Sequence, residues 1–105
     1  YGNRVAAMIF GPKKVIIVVG ANKIVKSFDD AQKRIRELCA PTNAARHAIK
    51  HHRPQYLELP CVKTGTCVDC NHPQRICNYT TTIEGVSERR RGHINLVIVG
   101  ESLGI

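Results

Sequence analysis

Two short runs of β-branched residues, each followed by a glycine, constrain the fold of this chain most strongly. Val15–Val19 precedes Gly20, and Ile94–Val99, interrupted by Asn95 alone, precedes Gly100. Neither run alternates polar with apolar residues, so both faces of each predicted strand are expected to be covered. Strands of this kind belong to parallel or mixed sheets that carry helices on both sides.

A third apolar run, Val5–Phe10, comes before the first of these strands. Gly11 and Pro12 separate it from Val15–Val19, and a Gly-Pro break between two apolar runs is typical of a turn. We therefore expect Val5–Phe10 to form a strand that neighbours Val15–Val19.

A helical block is predicted between the two buried strands. Ser27, with Asp30 three residues later, resembles a capping box. Pro41 should interrupt the block, and a second helix or a kinked continuation should end near His52, before Pro54. The apolar face of the first helix is predicted to consist of Phe28, Ala31, Ile35 and Leu38. The order of strand, helix and strand predicts an α/β fold in which residues 1–105 form a single domain.

Four of the five cysteines lie in one loop, residues 61–77, with the spacing C-x5-C-x2-C-x6-C. The central C-x2-C pair can chelate one metal, and the outer two cysteines can fold back over it. Four thiolates suit tetrahedral zinc and equally suit a [4Fe–4S] cluster, so the spacing leaves both cofactors open. The alternative is a set of reduced, unliganded thiols or pairs oxidised during handling. The predicted ligands are Cys61, Cys67, Cys70 and Cys77.

The cysteine pattern also bears on the compartment and on the neighbouring candidates. An odd total of five cysteines, four of them in one loop, favours a reducing, cytoplasmic environment over a disulfide framework. Few residues of the loop can enter a core, so we expect a bound ligand to provide most of its order. Cys39, beside the apolar helix face, is predicted to be a small buried hydrophobe. His72 is a candidate to replace one cysteine.

A second candidate site follows the first buried strand. In open α/β sheets ligands collect at the carboxyl ends of strands. Gly20, Asn22 and Lys23 offer backbone donors, an amide and a cation there, which would suit an anionic small molecule. The segment 100–104 occupies the equivalent position after the last strand. The alternative is a simple turn with a solvated lysine.

Charge and composition limit the classes of partner that the chain is expected to bind. The net charge is +8, with sixteen Lys and Arg against eight Asp and Glu, but the basic residues are scattered. Five aromatic residues, none interleaved with a basic run, argue against a nucleic-acid stacking surface. The longest apolar run is about six residues, too short to span a membrane. A homo-oligomer remains open.

Several segments follow one another in the order typical of a known family: 2–6, 11–15, 20–25, 64–65 with 67–70, 75–78 and 99–105. Together they resemble the LUD (lactate utilisation) family, and the resemblance covers essentially the whole chain. It implies the NagB/RpiA/CoA-transferase-like fold, a three-layer sheet with flanking helices, of which this chain would be a fragment. Family members are longer, so the chain, which begins at Tyr1, is expected to be the C-terminal half of a larger LUD domain whose N-terminal half is its partner.

The resemblance implies a role in the oxidation of lactate or a related 2-hydroxy acid, beside iron–sulfur subunits of such a system. It leaves open whether this chain is an enzyme, and no catalytic residue can be assigned. Two other functions remain open at this stage. One is a non-catalytic assembly or scaffold protein with a structural metal loop, and the other is a zinc-bearing nucleic-acid-binding module.

Overall fold

The computed structural model describes residues 4–105. Tyr1, and the Gly2 and Asn3 of the first family-like segment, lie outside the described residues. The chain divides into two compact units. Unit 1 combines the N-terminal residues up to Lys23 with Asn78–Gly104, and unit 2 is Ile24–Cys77.

Unit 1 contains two parallel strands, as the two β-branched runs predicted. Strand β1 is Val15–Gly20 and strand β2 is Ile94–Val99. They pair in parallel, from Val15 opposite Ile94 to Gly20 opposite Val99. The side chain of Asn95 donates to the carbonyl oxygens of Val15 at 3.2 Å and of Gly92 at 2.8 Å. The polar residue that interrupts the second run therefore fixes the start of the strand pair.

The expectation that both faces of the strands are covered is wrong for the described residues. Ile16 and Val18 of β1 are 62% and 59% exposed, and Leu96 of β2 is 59% exposed. The described part of unit 1 has two strands and little helix to shield them. Helices and a parallel strand pair nevertheless define a mixed α/β protein, and the three-layer arrangement stays a prediction.

Val5–Phe10 forms helix α1, so the prediction of a strand there is wrong. Ala6, Ala7 and Met8 favour helix over strand. The helix ends where the Gly11 N–H donates to the Ala7 carbonyl at 2.9 Å. Basic side chains from the segment before β2 then cap its last turn, where the helix dipole is negative. Arg90 Nη1 donates to the Ile9 carbonyl at 3.0 Å, and His93 Nε2 lies 2.7 Å from the same oxygen.

Unit 2 is helical. Helix α2 is Phe28–Arg34, a π-helical segment covers Ile35–Cys39, and helix α3 is Ala40–Lys50. A 3-10 turn at Pro54–Glu58 and helix α4, Pro60–Thr64, follow. The helical run continues through Pro41, which lies in the first turn of α3, and ends at Lys50, close to the predicted end near His52.

The predicted N-cap of α2 is confirmed as well. Ser27 is extended, and its hydroxyl oxygen accepts from the Asp30 N–H at 3.1 Å. Asp29 and Asp30 occupy the first turn, where carboxylates stabilise the positive end of the helix dipole.

The core of unit 2 lies where α3 and α4 meet. Ala44, Leu59 and Cys61 are buried, and Tyr56, Val62 and Ile76 pack against them. Cys61 therefore belongs to the hydrophobic core and also begins the cysteine loop. Within residues 4–105, no helix is both long and apolar enough to cross a membrane.

We predict that Ser27→Ala will lower the free energy of unfolding by about 0.5–2 kcal/mol, because the capping hydrogen bond at the start of α2 is lost. Ser87 is the matched control, since it precedes the 3-10 turn Glu88–Arg90 without a side-chain cap bond. Ser87→Ala should leave the urea midpoint nearly unchanged. Equal midpoints for the two variants would contradict the capping role.

Candidate metal centre

Cys61 lies in the first turn of the short helix α4. Pro60 suits a first-turn position because the N–H it lacks has no helical partner there. Gly65, with a φ of 76°, ends the helix in the left-handed conformation that favours glycine. The Cys61 side chain is consequently held in the core beside Ala44 and Leu59.

The second cysteine is tied to the π-helical segment. The Cys67 N–H donates to the Arg36 carbonyl at 2.8 Å. That carbonyl is available for a physical reason. Ala40 N–H donates to Ile35, five residues back, and Pro41 has no N–H to give to Arg36. The irregular helix geometry around the proline thus supplies the acceptor that anchors the loop.

The residues after Cys67 are held by side chains rather than by secondary structure. Asp69 adopts a φ of 53° and its carboxylate pairs with the Arg36 guanidinium at 3.5 Å. Arg75 Nη1 donates to the Cys70 carbonyl at 2.7 Å, and Arg75 Nη2 donates to the Cys77 carbonyl at 3.1 Å. These interactions with the protein's own side chains order the loop. The expectation that a bound ligand provides most of the order of the loop is corrected accordingly.

The thiols of the loop act on one another electrostatically. Burial raises the pKa of the Cys61 thiol, and the charges of Cys70, Cys77 and Cys67 raise it further. A thiol responds in this way only to ionisable groups that lie nearby. Of the four cysteines chosen from spacing, Cys61 is buried, Cys67 and Cys70 are half-buried, and Cys77 is exposed.

Within residues 4–105, no group of three or more His, Cys, Asp or Glu side chains is arranged to hold a single metal ion. A tetrahedral zinc site with Zn–S bonds of 2.3 Å would bring its sulfurs to about 3.8 Å from one another. The donor set itself, four free thiols, suits metals that prefer soft ligands. A cation would also relieve the mutual repulsion that four ionised thiols would otherwise suffer.

The two other candidates in this unit have protein partners. Cys39 is half-buried rather than buried, and its sulfur accepts from Arg34 Nη1 at 2.9 Å. His72 Nδ1 accepts from the Gln74 N–H at 3.1 Å, and its carbonyl accepts from the Arg75 N–H at 3.0 Å. His72 thus shapes the turn between Cys70 and Cys77, and its role as a replacement ligand stays a prediction.

The predicted anion site lies at the carboxyl end of β1, in unit 1, and its side chains bind the segment after β2. Asn22 donates to the Gly104 carbonyl and accepts from the Leu103 N–H, both at 3.1 Å. Lys23 Nζ donates to the Leu103 carbonyl at 2.6 Å. The two segments that follow the strands do meet, as their equivalent positions implied. Binding of an anionic molecule by Gly20, Asn22 and Lys23 stays a prediction.

Sequence reasoning missed both arginines that order the cysteine loop. Arg36 contributes mainly through its main-chain carbonyl, which no side-chain pattern reveals. Arg75 stands inside the loop, but an arginine between two cysteines has no distinctive spacing of its own. Its role becomes visible through the hydrogen bonds to Cys70 and Cys77.

The fold and the loop together define a class, a mixed α/β protein with four free cysteines in one loop, of which Cys61 is buried. The family model of the LUD domain matches residues 1–97 of the 105. The chain belongs to the LUD domain family. Comparisons with curated proteins and with solved structures gave no match.

We predict that Gly20→Ala will destabilise the protein by about 1–3 kcal/mol, because overpacking forces the backbone to shift. A Cβ at Gly20 would lie 2.6 Å from the Glu101 carbonyl oxygen and would also strike the Leu103 N–H. Gly100, which follows β2, has open space around the corresponding position and is the matched control. Urea unfolding should show Gly100→Ala within about 0.5 kcal/mol of the parent. An unchanged Gly20→Ala would refute the close approach.

We predict that iodoacetamide will modify Cys61 last among the four loop cysteines of the metal-free chain. Its raised pKa leaves less of the reactive thiolate at pH 8, and burial restricts access. Because the shift is upward, its reaction rate should keep rising with pH above the ordinary pKa of a thiol. Peptide mass spectrometry after timed quenching gives the order. The four rates should converge in urea, and a native Cys61 as fast as Cys77 would contradict the burial.

Proposed function

We propose that this LUD protein acts in the oxidation of lactate or a related 2-hydroxy acid, with an iron–sulfur cluster held by Cys61, Cys67, Cys70 and Cys77. The observation that supports the proposal is the loop itself, which carries four free cysteines and in which Arg75 ties the main chain of Cys70 to that of Cys77. Membership of the LUD family supports the metabolic role. Together they point to a redox centre inside a lactate-utilisation protein.

A cluster fits the site better than a single ion does. A [4Fe–4S] cluster is bound by four cysteine thiolates and keeps them farther apart than one zinc ion would. Within the described residues no group of three or more His, Cys, Asp or Glu side chains is arranged to hold one ion, so the proposal is made for the larger group. The loop between Cys61 and Cys77 is long enough to enclose a larger inorganic group, and its polar residues leave one side exposed.

The cysteines of the loop have distinct roles in this proposal. Cys61 fixes the centre to the hydrophobic core, and its neutral thiol must release a proton when it becomes a ligand. Cys67 is placed by the Arg36 carbonyl, and Cys70 follows it at chelating distance in sequence. When bound, the cluster would supply one-electron transfer.

The partners follow from electron counting. Oxidation of a 2-hydroxy acid to a 2-oxo acid releases two electrons and two protons. A centre that carries one electron at a time requires other iron–sulfur subunits to accept and pass the electrons on. We therefore propose such subunits of a lactate-oxidising system as partners, with the oxidation itself assigned to the assembled system.

A second candidate is a non-catalytic assembly protein in which zinc stabilises the loop. The observation that favours it is the position of Cys61 in the core with Ala44 and Leu59. A metal bound there would fasten the loop to the helices, which is the usual effect of a structural zinc site.

Anaerobic purification with metal and sulfide analysis separates the two candidates. The first predicts a brown protein with about four iron and four sulfide per chain, and the second predicts about one zinc. Cys67→Ser should abolish metal content in either case, because a C-x2-C ligand is lost. Cys39→Ser, outside the loop, is the matched control and should retain it. Metal-free protein under these conditions, or metal retained by Cys67→Ser, would refute the centre.

A further inference from the structure

An apolar groove lies at the C-terminal end of α3. His52 adopts a φ of 52°, in the left-handed region, and the Arg53 N–H donates to the Ala48 carbonyl at 2.9 Å. After this closed turn the 3-10 turn Pro54–Glu58 packs against α3. The groove between them is open, has a volume of about 470 Å³ and is lined by Ala48, Ile49, His52, Pro54 and Leu57.

Two apolar side chains of this groove face solvent. Ile49 is 75% exposed although it lies within a helix, and Leu57 is 43% exposed. Burying such surface against a partner is favourable, roughly in proportion to the apolar area removed from water. Apart from His52, the lining offers carbon rather than polar groups, so the groove suits an apolar side chain of a partner.

Basic side chains border the groove. The basic segment, residues 46–53, contains three Lys or Arg residues and three histidines, and it contains no carboxylate. Arg46 lies one helical turn before both Ile49 and Lys50, a spacing that makes side chains neighbours on a helix surface. Arg53 directly follows His52 of the groove lining, so cations stand on both sides of the apolar groove.

The charges of the basic segment are not neutralised by carboxylates. Within residues 4–105, none of its side chains forms an ion pair, and the Arg46 guanidinium donates instead to the neutral Asn43 amide oxygen at 2.7 Å. The negative end of the helix dipole accounts for cations in the last turn of α3, but His52 and Arg53 lie beyond that turn. Elsewhere in unit 2 cations do pair with carboxylates, as in Lys63 with Glu58 and Arg36 with Asp69.

His47 experiences this concentration of positive charge. Its burial lowers its pKa, and the charges of basic neighbours lower it further, namely those of His51, Arg46, Lys50 and Arg53. Like charges disfavour the charged form of a histidine in this way. An anionic partner at the basic segment would relieve the repulsion among these groups.

We propose that the C-terminal end of α3 is a docking surface for an acidic protein segment that carries an apolar anchor residue. The anchor fills the groove beside Ile49 and Leu57, and carboxylates on either side of it face Arg46, Lys50 and Arg53. Charge complementarity selects an acidic partner. A nucleic acid would use the cations but has no aliphatic side chain for the groove, and a membrane surface is flat where this surface is concave. The proposal does not rest on the metal centre.

Fluorescence anisotropy with the full 105-residue chain tests the proposal. The probe is a fluorescein-labelled synthetic peptide in which aspartates and glutamates flank a pair of leucines. A companion peptide with serines in place of the leucines keeps the charge and removes the anchor, so it should bind about tenfold more weakly. Added salt should weaken the binding of the leucine peptide, because it screens exposed charges.

Two matched pairs of variants locate the site. Lys50→Glu should weaken binding of the leucine peptide about fivefold, because an attraction becomes a repulsion. Lys26→Glu, at an exposed lysine of the same unit, changes the net charge equally and should bind like the parent. Ile49→Gln should also weaken binding about fivefold. Ile24→Gln, at a 60% exposed isoleucine of the same unit, should not. All four positions are exposed, so the variants should keep the circular dichroism of the parent.

Three results would overturn the proposal. Absence of leucine-peptide binding at low salt, or equal binding by Lys50→Glu and Lys26→Glu, would remove the docking surface. A serine peptide that binds as tightly as the leucine peptide would remove the groove from it. Tighter binding of an oligonucleotide or of phosphatidylglycerol vesicles, weakened by Lys50→Glu, would show that the partner is not a protein segment.

Discussion

The hydrogen bond from the Cys67 N–H to the Arg36 carbonyl connects the cysteine loop to the helices of unit 2. That acceptor exists because the helix between α2 and α3 widens into a π segment just before Pro41. An ordinary α-helix would have satisfied the carbonyl internally, leaving nothing for the loop to bind. Irregular helix geometry of this kind is often found at functional sites. Here it connects the helical layer of unit 2 to the thiols.

The two ends of the loop are held in different ways, one by burial and the other by polar contacts. Cys61 is fixed by apolar contacts in the core, while Cys77 is exposed and held by a guanidinium. A buried thiol reacts slowly because burial disfavours its ionised form. A metal that binds such a thiol must stabilise the thiolate, which is the form that acts as a ligand. Cys61 therefore links the start of the loop to the packing of α3 against α4.

The sequence predicted the elements whose signals are local and missed those decided by tertiary context. The β-branched runs identified β1 and β2, and the Ser27 cap and Pro41 gave the helical block. Val5–Phe10 was mistaken for a strand because its apolar run outweighed three good helix formers, Ala6, Ala7 and Met8. For the candidate site, spacing gave the prediction that the four cysteines are ligands, whereas main-chain acceptors and the bridging Arg75 leave no pattern in a single sequence.

The uniform hydrophobicity of the two strands has a consequence for their alignment. When nearly every position of a strand is apolar, a shift of the strand pairing by one residue replaces one apolar face with another. The burial pattern alone therefore specifies the register weakly. Polar side chains act at both ends instead. Asn95 donates a hydrogen bond to the Val15 carbonyl where the strands begin. Asn22 forms hydrogen bonds with the backbone of Leu103 and Gly104, beyond the end of β2. The two asparagines thus help to fix the register of a strand pair that its apolar residues alone would leave weakly specified.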